Sequence, residues 1–212
     1  MNSDTGLQKS SKFQRIIIPA IYLSFIVFTI LHFIVPFLHE EASIPNLRFS
    51  YENQKSIDLG HQEPINEYFL DYIYLAGHYT CHQRSDRSFY LNDNQLPVCS
   101  RCIGIYLGMS LVFLIALWQR PKGSFFQSLC QLIKFNPISK KECCDFVIII
   151  GIGAILAIPM LADGFLQIFT SYVSNEMTRL FTGFFFGLFE GGLTVGLLSH
   201  IAFILKQHEN GF

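Results

Sequence analysis

Charged side chains are scarce in this sequence. They make up 15% of its 212 residues, where soluble domains carry roughly 25%. The charge that is present nearly cancels, to a formal −1, so there is no basic stripe and no electrostatic footprint for nucleic acid. A cleaved export signal is not expected either. The first apolar stretch outruns the about 7 to 15 residues of a signal h-region, and Phe37-Leu38-His39-Glu40-Glu41 offers no small-residue cleavage site. No internal repeat or low-complexity tract occurs, and without a broken-helix repeat the chain lacks the mark of an autonomous transporter.

Half of the residues are hydrophobic, 22 of them Phe, and they fall in four blocks. Ile16 to Leu38 contains no charge and is interrupted only by Pro19, Ser24, Thr29, His32 and Pro36. Ile103 to Trp118 follows directly on Cys102 and is short, so its helix is expected to extend at one end. Phe146 to about Thr170 carries Asp163, and Leu180 to Leu205 carries Glu190 and His200. A membrane span needs about 20 mostly apolar residues. The sequence therefore predicts an all-α integral membrane protein with about four transmembrane helices, plus an extramembrane loop with a short amphipathic helix. The first block reads as a retained signal anchor, and the lipid bilayer is the expected partner.

Lys9, Lys12 and Arg15 precede the first span, and Arg120, Lys122, Lys134, Lys140 and Lys141 lie between spans two and three. Both basic clusters fall on one side of a four-span chain, which the positive-inside rule makes the cytoplasm. The acid-rich segment from His39 to Arg101 and the turn from Ser171 to Arg179 then face outward. The expected organisation is 1–38 for the cytoplasmic N-terminus and first span, 39–76 for a polar outer loop and amphipathic segment, 77–205 for a Cys/His motif with three spans, and 206–212 for a cytoplasmic tail. With such termini, a membrane bordering the cytoplasm is the expected location, its outer side the periplasm, the cell exterior or an organelle lumen. Ala42 to Pro64 reads as loop. From Ile65, the residues Phe69, Tyr72, Ile73 and Leu75-Ala76 recur near helical spacing and predict an amphipathic helix leading into His78.

The most concentrated chemical signal runs from His78 to Cys102. It holds His78, Cys81, His82, Cys99 and Cys102, three of the six cysteines and two of the seven histidines. Cys99-x-x-Cys102 offers two thiolates to one metal, and Cys81 with His78 or His82 could complete the tetrahedral N/S set that zinc prefers. Zinc is the expected metal, with an iron–sulfur centre as the other thiolate choice. A disulfide is the competing reading, since cysteines outside the cytoplasm usually pair, although three outer cysteines leave one over. Cys130, Cys143 and Cys144 lie in the basic segment and read as reduced structural thiols.

Cys81-His82-Gln83, Arg87-Ser88-Phe89 and Cys99-x-Arg101-Cys102-x-Gly104-Ile105-Tyr106-x-Gly108, continued in Asp163-Gly164-x-x-Gln167 and Asn175-x-x-x-Arg179-x-x-Thr182-Gly183, resemble a prokaryotic family of predicted membrane proteins classed as a domain of unknown function. The resemblance covers roughly Gly77 to Leu198. It implies an integral membrane protein and supplies no activity.

Polar side chains inside a bilayer are costly and usually have a use. Asp163 and Gln167 share one helix face, and Arg179 opens the next span, where it is expected to pair with Asp163. With Asn175 they fall at the same leaflet as the Cys/His motif. Asp163, Gln167 and Arg179 are therefore candidate catalytic residues, with Arg84, Arg87, Arg101 and Asn175 as candidate substrate-binding residues for a phosphate. Glu190, flanked by Gly187, Gly191 and Gly192, is expected to be protonated and bonded to a neighbour.

Three functions fit these residues. One is a zinc protein acting on a lipid-linked substrate. The second is a membrane thiol–disulfide oxidoreductase using Cys99/Cys102 with Cys81 and a quinone. The third is a binding or transport subunit in which Asp163, Gln167, Arg179 and Glu190 line a path, compatible with a homo-oligomer.

Overall fold

The computed structural model describes residues 13–47, 49–52, 55–58, 69–134 and 146–210. Four helices among these are long and apolar enough to cross a membrane: Gln14–Leu38, Ser100–Gln119, Ile149–Phe169 and Glu176–His208. The all-α membrane architecture is thus present, with strand confined, among the described residues, to two small hairpins.

Helix α1 (Ile18–Ile34) follows a π-helical turn (Phe13–Ile17) and ends in a 3₁₀ turn (Val35–Leu38) with Pro36 in its first positions. The stretch expected to be plain loop contains instead the antiparallel pair β1 (Phe49–Glu52) and β2 (Lys55–Asp58), with Ser50 opposite Ile57 and Tyr51 opposite Ser56. Strands of four residues are too short for alternation to stand out against a polar background.

Helix α2 (Tyr72–Thr80) follows a 3₁₀ turn (Phe69–Asp71), so the amphipathic helix runs to the edge of the cysteine motif. Its expected start at Ile65 lies outside the described residues. The hairpin β3 (Tyr90–Leu91) and β4 (Asn94–Gln95) is joined by Asn92 and Asp93, both at positive φ (56° and 54°). That is the two-residue turn whose twist matches antiparallel strands and which Asn and Asp tolerate best. Helix α3 (Ser100–Gln119) starts before the apolar block and takes Cys102 into its first turn. Helix α4 (Phe125–Lys134), not anticipated, buries Leu129 and Cys130. Cys143 and Cys144 lie outside the described residues. Helices α5 (Phe146–Phe169) and α6 (Glu176–Asn210) complete the chain.

The chain divides into two compact units. One comprises Met1–Ile26, Gly108–Pro159 and Phe186–Phe212. Its core gathers Ile18, Tyr22, Ile26, Phe113, Val195 and Ala202, with the Tyr22 ring stacked on Phe113 at 4.8 Å between centroids.

The other unit comprises Val27–Leu107 and Met160–Phe185. It holds two apolar clusters, one around Val35, Ile44, Ile73 and Tyr74 and one around Cys81, Val98 and Ile103. Buried polar side chains knit its loops. Asn94 Nδ2 donates to the carbonyls of Pro36 and Glu40, both at 2.9 Å, while its Oδ1 accepts the Ile44 N–H at 2.7 Å. His39 Nε2 meets Asp71 Oδ1 at 3.0 Å, with both side chains buried, and the Tyr74 hydroxyl donates to the Gln95 carbonyl at 2.9 Å. Helices α3 and α6 approach closely at two glycines. A Cβ on Gly104 would run into the Leu180 carbonyl, and one on Gly183 into the Arg101 carbonyl. This close approach, open only to residues without a side chain, brings the start of α6 against Arg101.

Candidate functional site: a three-cysteine cluster beside a polar network

Every candidate site residue except Glu190 lies in the second unit. Cys81 closes α2, its N–H donating to the Gly77 carbonyl at 2.9 Å. Gln83, at φ 47°, turns the chain back, and its buried amide donates to the Pro97 carbonyl at 2.8 Å. Gln95 Nε2 donates in turn to the Gln83 carbonyl at 2.9 Å and to Ser88 Oγ at 3.1 Å. These bonds tie the two halves of the motif, so the Cys99 N–H reaches Cys81 Sγ at 3.2 Å.

Cys81, Cys99 and Cys102 consequently place their three sulfurs within 4.8 Å of one another, with Cys99 and Cys102 3.6 Å apart. All three are free thiols. A disulfide requires about 2.05 Å. Two thiolates on one tetrahedral zinc, at Zn–S of about 2.3 Å, stand about 3.8 Å apart, so the sulfurs are spaced for a shared cation. The histidines expected to complete the set do not join it. His82 is exposed, and His78 points its ring edge-on to Tyr79 on the half-buried face of α2. Helical geometry separates them from the cluster: His78 falls on the last turn of α2, and His82 flanks Cys81 on the opposite side of an extended backbone.

The cluster is electrically uneven. Hydrogen bonds from the Cys102 and Cys81 thiols hold the Cys99 thiol far below its usual range despite burial, and the N–H groups of Cys102 and Arg101 at the head of α3 add to this. Cys81 moves the other way: the Cys102 hydrogen bond acts to lower it, but the Cys99 partner and burial outweigh that bond and push it up. The hydrogen bonds within the cluster thus favour the anionic form at Cys99 over Cys81.

Beside the cysteines lies a hydrogen-bonded polar network. Asp163, 4% exposed, pairs with Arg101 through Oδ2. The same oxygen accepts Gln167 Nε2 at 2.8 Å and the Ser174 hydroxyl at 3.4 Å. Arg179 does not pair directly with Asp163, contrary to expectation. Its Nε donates to Ser174 Oγ at 2.8 Å and its Nη2 to Gln167 Oε1 at 3.3 Å, so it joins the carboxylate through two intermediaries. Arg101, brought in by the close helix approach, takes the direct position. Of the other candidates, Arg84 is held by both oxygens of Asp86 at 2.9 Å. Asn175 caps α6, its Oδ1 accepting the Thr178 N–H at 2.7 Å. Arg87 sits behind the head of α3, where Ser100 Oγ donates to its carbonyl at 3.0 Å. Glu190 belongs to the other unit.

Sequence reasoning missed Gln83, Gln95 and Ser174 as positioning residues. Gln83 stands in the motif itself, which was its signal; Ser174 had none.

Four long apolar helices and a cysteine cluster at the head of one of them define a multi-pass membrane protein with a site where a metal could bind. The chain belongs to the family described as "Predicted membrane protein (DUF2085)", whose model matches residues 81–193, more than half of its length. It is similar to an uncharacterized protein of Methanothermobacter thermautotrophicus, 32% identical over 105 residues that cover 50% of this chain and 75% of that one. It is also similar to an uncharacterized protein of Methanocaldococcus jannaschii, 25% identical over 167 residues, or 79% of this chain and 83% of the relative. No solved structure matches the chain.

Proposed function

We propose that this protein is a zinc-binding membrane protein in which Cys81, Cys99 and Cys102 hold the metal at the outward-facing ends of the spans. The observation that carries the reading is the set of three free sulfurs within 4.8 Å. Soft thiolate ligands select zinc or an iron–sulfur centre over magnesium or calcium. Three protein ligands rather than four is the pattern of zinc sites that act on a substrate, where the metal supplies Lewis acidity. Asp163, Gln167 and Arg179 would orient the reacting group, and the location at membrane helix ends favours a lipid-linked substrate. The basic residues before the first span and between the second and third support cytoplasmic termini.

A second reading uses the same sulfurs. The low-pKa Cys99 beside Cys102 is the arrangement of a dithiol that exchanges with a disulfide, and a quinone would be the electron acceptor in such a membrane enzyme.

One preparation separates the two. Elemental analysis of the purified full chain, with a count of reactive thiols, is expected to give about one zinc per chain. Cys81, Cys99 and Cys102 should stay protected from alkylation until a chelator is added, and Cys99→Ser should lose the metal. A chain without stoichiometric zinc or iron, whose Cys99 and Cys102 cycle between thiol and disulfide, would establish the oxidoreductase reading instead.

A further inference from the structure

Buried polar atoms without a hydrogen-bond partner are rare, and each calls for a reason. Among the described residues of the second unit these atoms are Arg87 Nε, Arg101 Nε, Asp163 Oδ1 and His32 Nε2. Three of the four belong to one neighbourhood beside the cysteine cluster. Asp163 concentrates its partners on one oxygen: Arg101, Gln167 and Ser174 all address Oδ2, and Oδ1 accepts nothing. Arg101 commits an Nη2 to that carboxylate and leaves Nε unmet. Arg87 Nε stands 3.7 Å from Asp86 Oδ2, an ion-pair distance too long for a hydrogen bond.

The orphan atoms lie within a dense cluster of charged groups. Arg87, Arg101 and Arg179 lie close enough to feel one another, a costly grouping, and Arg84 adds a fourth guanidinium. Three carboxylates face them: Asp86, Asp163 and Glu176. Asp86 is already engaged by the Arg84 fork. The four guanidiniums outnumber these carboxylates by one, a difference that a thiolate at Cys99 offsets. The side chains of Arg87 and Arg101 remain 35% and 26% exposed while the unmet atoms are buried, so a ligand engages those atoms through a local shift of the two guanidiniums.

Two orphan N–H donors and one orphan carboxylate acceptor are the complement of an anion with at least two acceptor oxygens and one O–H. We propose that Arg87, Arg101 and Asp163, with Arg179 behind them, bind a phosphomonoester or monohydrogen phosphate group. Arg87 Nε and Arg101 Nε donate to two phosphate oxygens, and the phosphate hydroxyl donates to Asp163 Oδ1. Guanidinium groups suit this pairing by their planar fork, and an ionised carboxylate can only accept, so it demands the O–H. The inference deepens the zinc reading by naming the substrate chemistry of the same site, and it rests on that reading only for the substrate's proximity to the metal. Free phosphate and a lipid headgroup offer the same group.

Anion binding by the purified full chain is the test, measured by calorimetry with inorganic phosphate and with sulfate, and in nanodiscs containing phosphatidic acid against phosphatidylcholine alone. Phosphate is expected to bind at least about ten-fold more tightly than sulfate, which has no proton to offer Asp163. Arg87→Gln, whose backbone bond to Ser100 is kept, should weaken phosphate and sulfate alike by about ten-fold or more. Asp163→Asn should abolish the preference between them. Binding of inorganic phosphate identifies a free anion as sufficient; binding confined to phosphatidic acid nanodiscs identifies the lipid headgroup. Sulfate binding as tightly as phosphate to the native chain overturns the proposal, and so does the absence of binding in both formats. Zinc content measured on the same samples keeps the two ideas apart: zinc without phosphate binding defeats this inference alone, and phosphate binding without zinc defeats the metal reading alone.

Discussion

Replacing Arg101 with Gln removes the direct partner of a buried carboxylate, and the cost can be worked out from the contacts. Deleting one side of a buried ion pair typically costs about 3–5 kcal/mol, because the remaining charge stays desolvated. Here two features reduce it. Gln167 and Ser174 still donate to Asp163 Oδ2, and the Arg101 side chain is 26% exposed, so the pair is partly solvated already. The expected loss is about 2–3 kcal/mol. For a chain of this size each kcal/mol moves Tm by about 2–4 °C, so Arg101→Gln should unfold roughly 4–12 °C lower. Neutralising the carboxylate as well, in Arg101→Gln with Asp163→Asn, removes the stranded charge and should recover at least about 1 kcal/mol relative to the sum of the single variants. Thermal unfolding of the four proteins in one detergent completes the cycle. If the double variant is destabilised by the simple sum of the two singles, Arg101 and Asp163 are not coupled, and the network around them is wrongly drawn.

Further outcomes follow from the same unit. Gly183→Ala places a Cβ against the Arg101 carbonyl and should cost about 1–3 kcal/mol by thermal unfolding. Gly164→Ala, whose Cβ would meet nothing within 4 Å, should be neutral or slightly stabilising; equal effects at the two sites would refute the close approach. Burial acts to raise the Asp86 carboxyl, but the Arg84 hydrogen bonds and the charges of Arg84 and Arg87 outweigh it and hold it below the ordinary range. A depressed folded-state pKa stabilises the fold above the unfolded value of about 3.9 and loses that contribution as the pH falls through the folded one. Asp86→Asn should therefore be less stable than the native chain at neutral pH, with the difference closing in acid below about pH 4. A gap that persists unchanged in acid would point to packing rather than charge.

The membrane architecture was legible because its signal is local. Scarce charge and four apolar blocks of spanning length can be read one segment at a time, and the described helices follow them to within a few residues. Short elements were harder: β1 and β2 are four residues each, and α4 lies in a segment read for its charge and its cysteines. At the site, the spacing Cys99-x-x-Cys102 and the presence of Cys81 marked the sulfurs as candidates, since residue type alone confers thiolate chemistry.

Tertiary structure decided which candidates meet. His78 and Cys81 are three residues apart, yet His78 stays outside the sulfur cluster, while Cys99 reaches Cys81 across 18 residues. Its place at the start of the next span made Arg179 the partner expected for Asp163. The choice fell to Arg101, 62 residues away, because Gly104 and Gly183 let two helices approach until Arg101's backbone touches Gly183. Sequence determined the solvent this chain folds in and the chemistry it carries. The approach of helices that small residues permit determined which of those groups form a site.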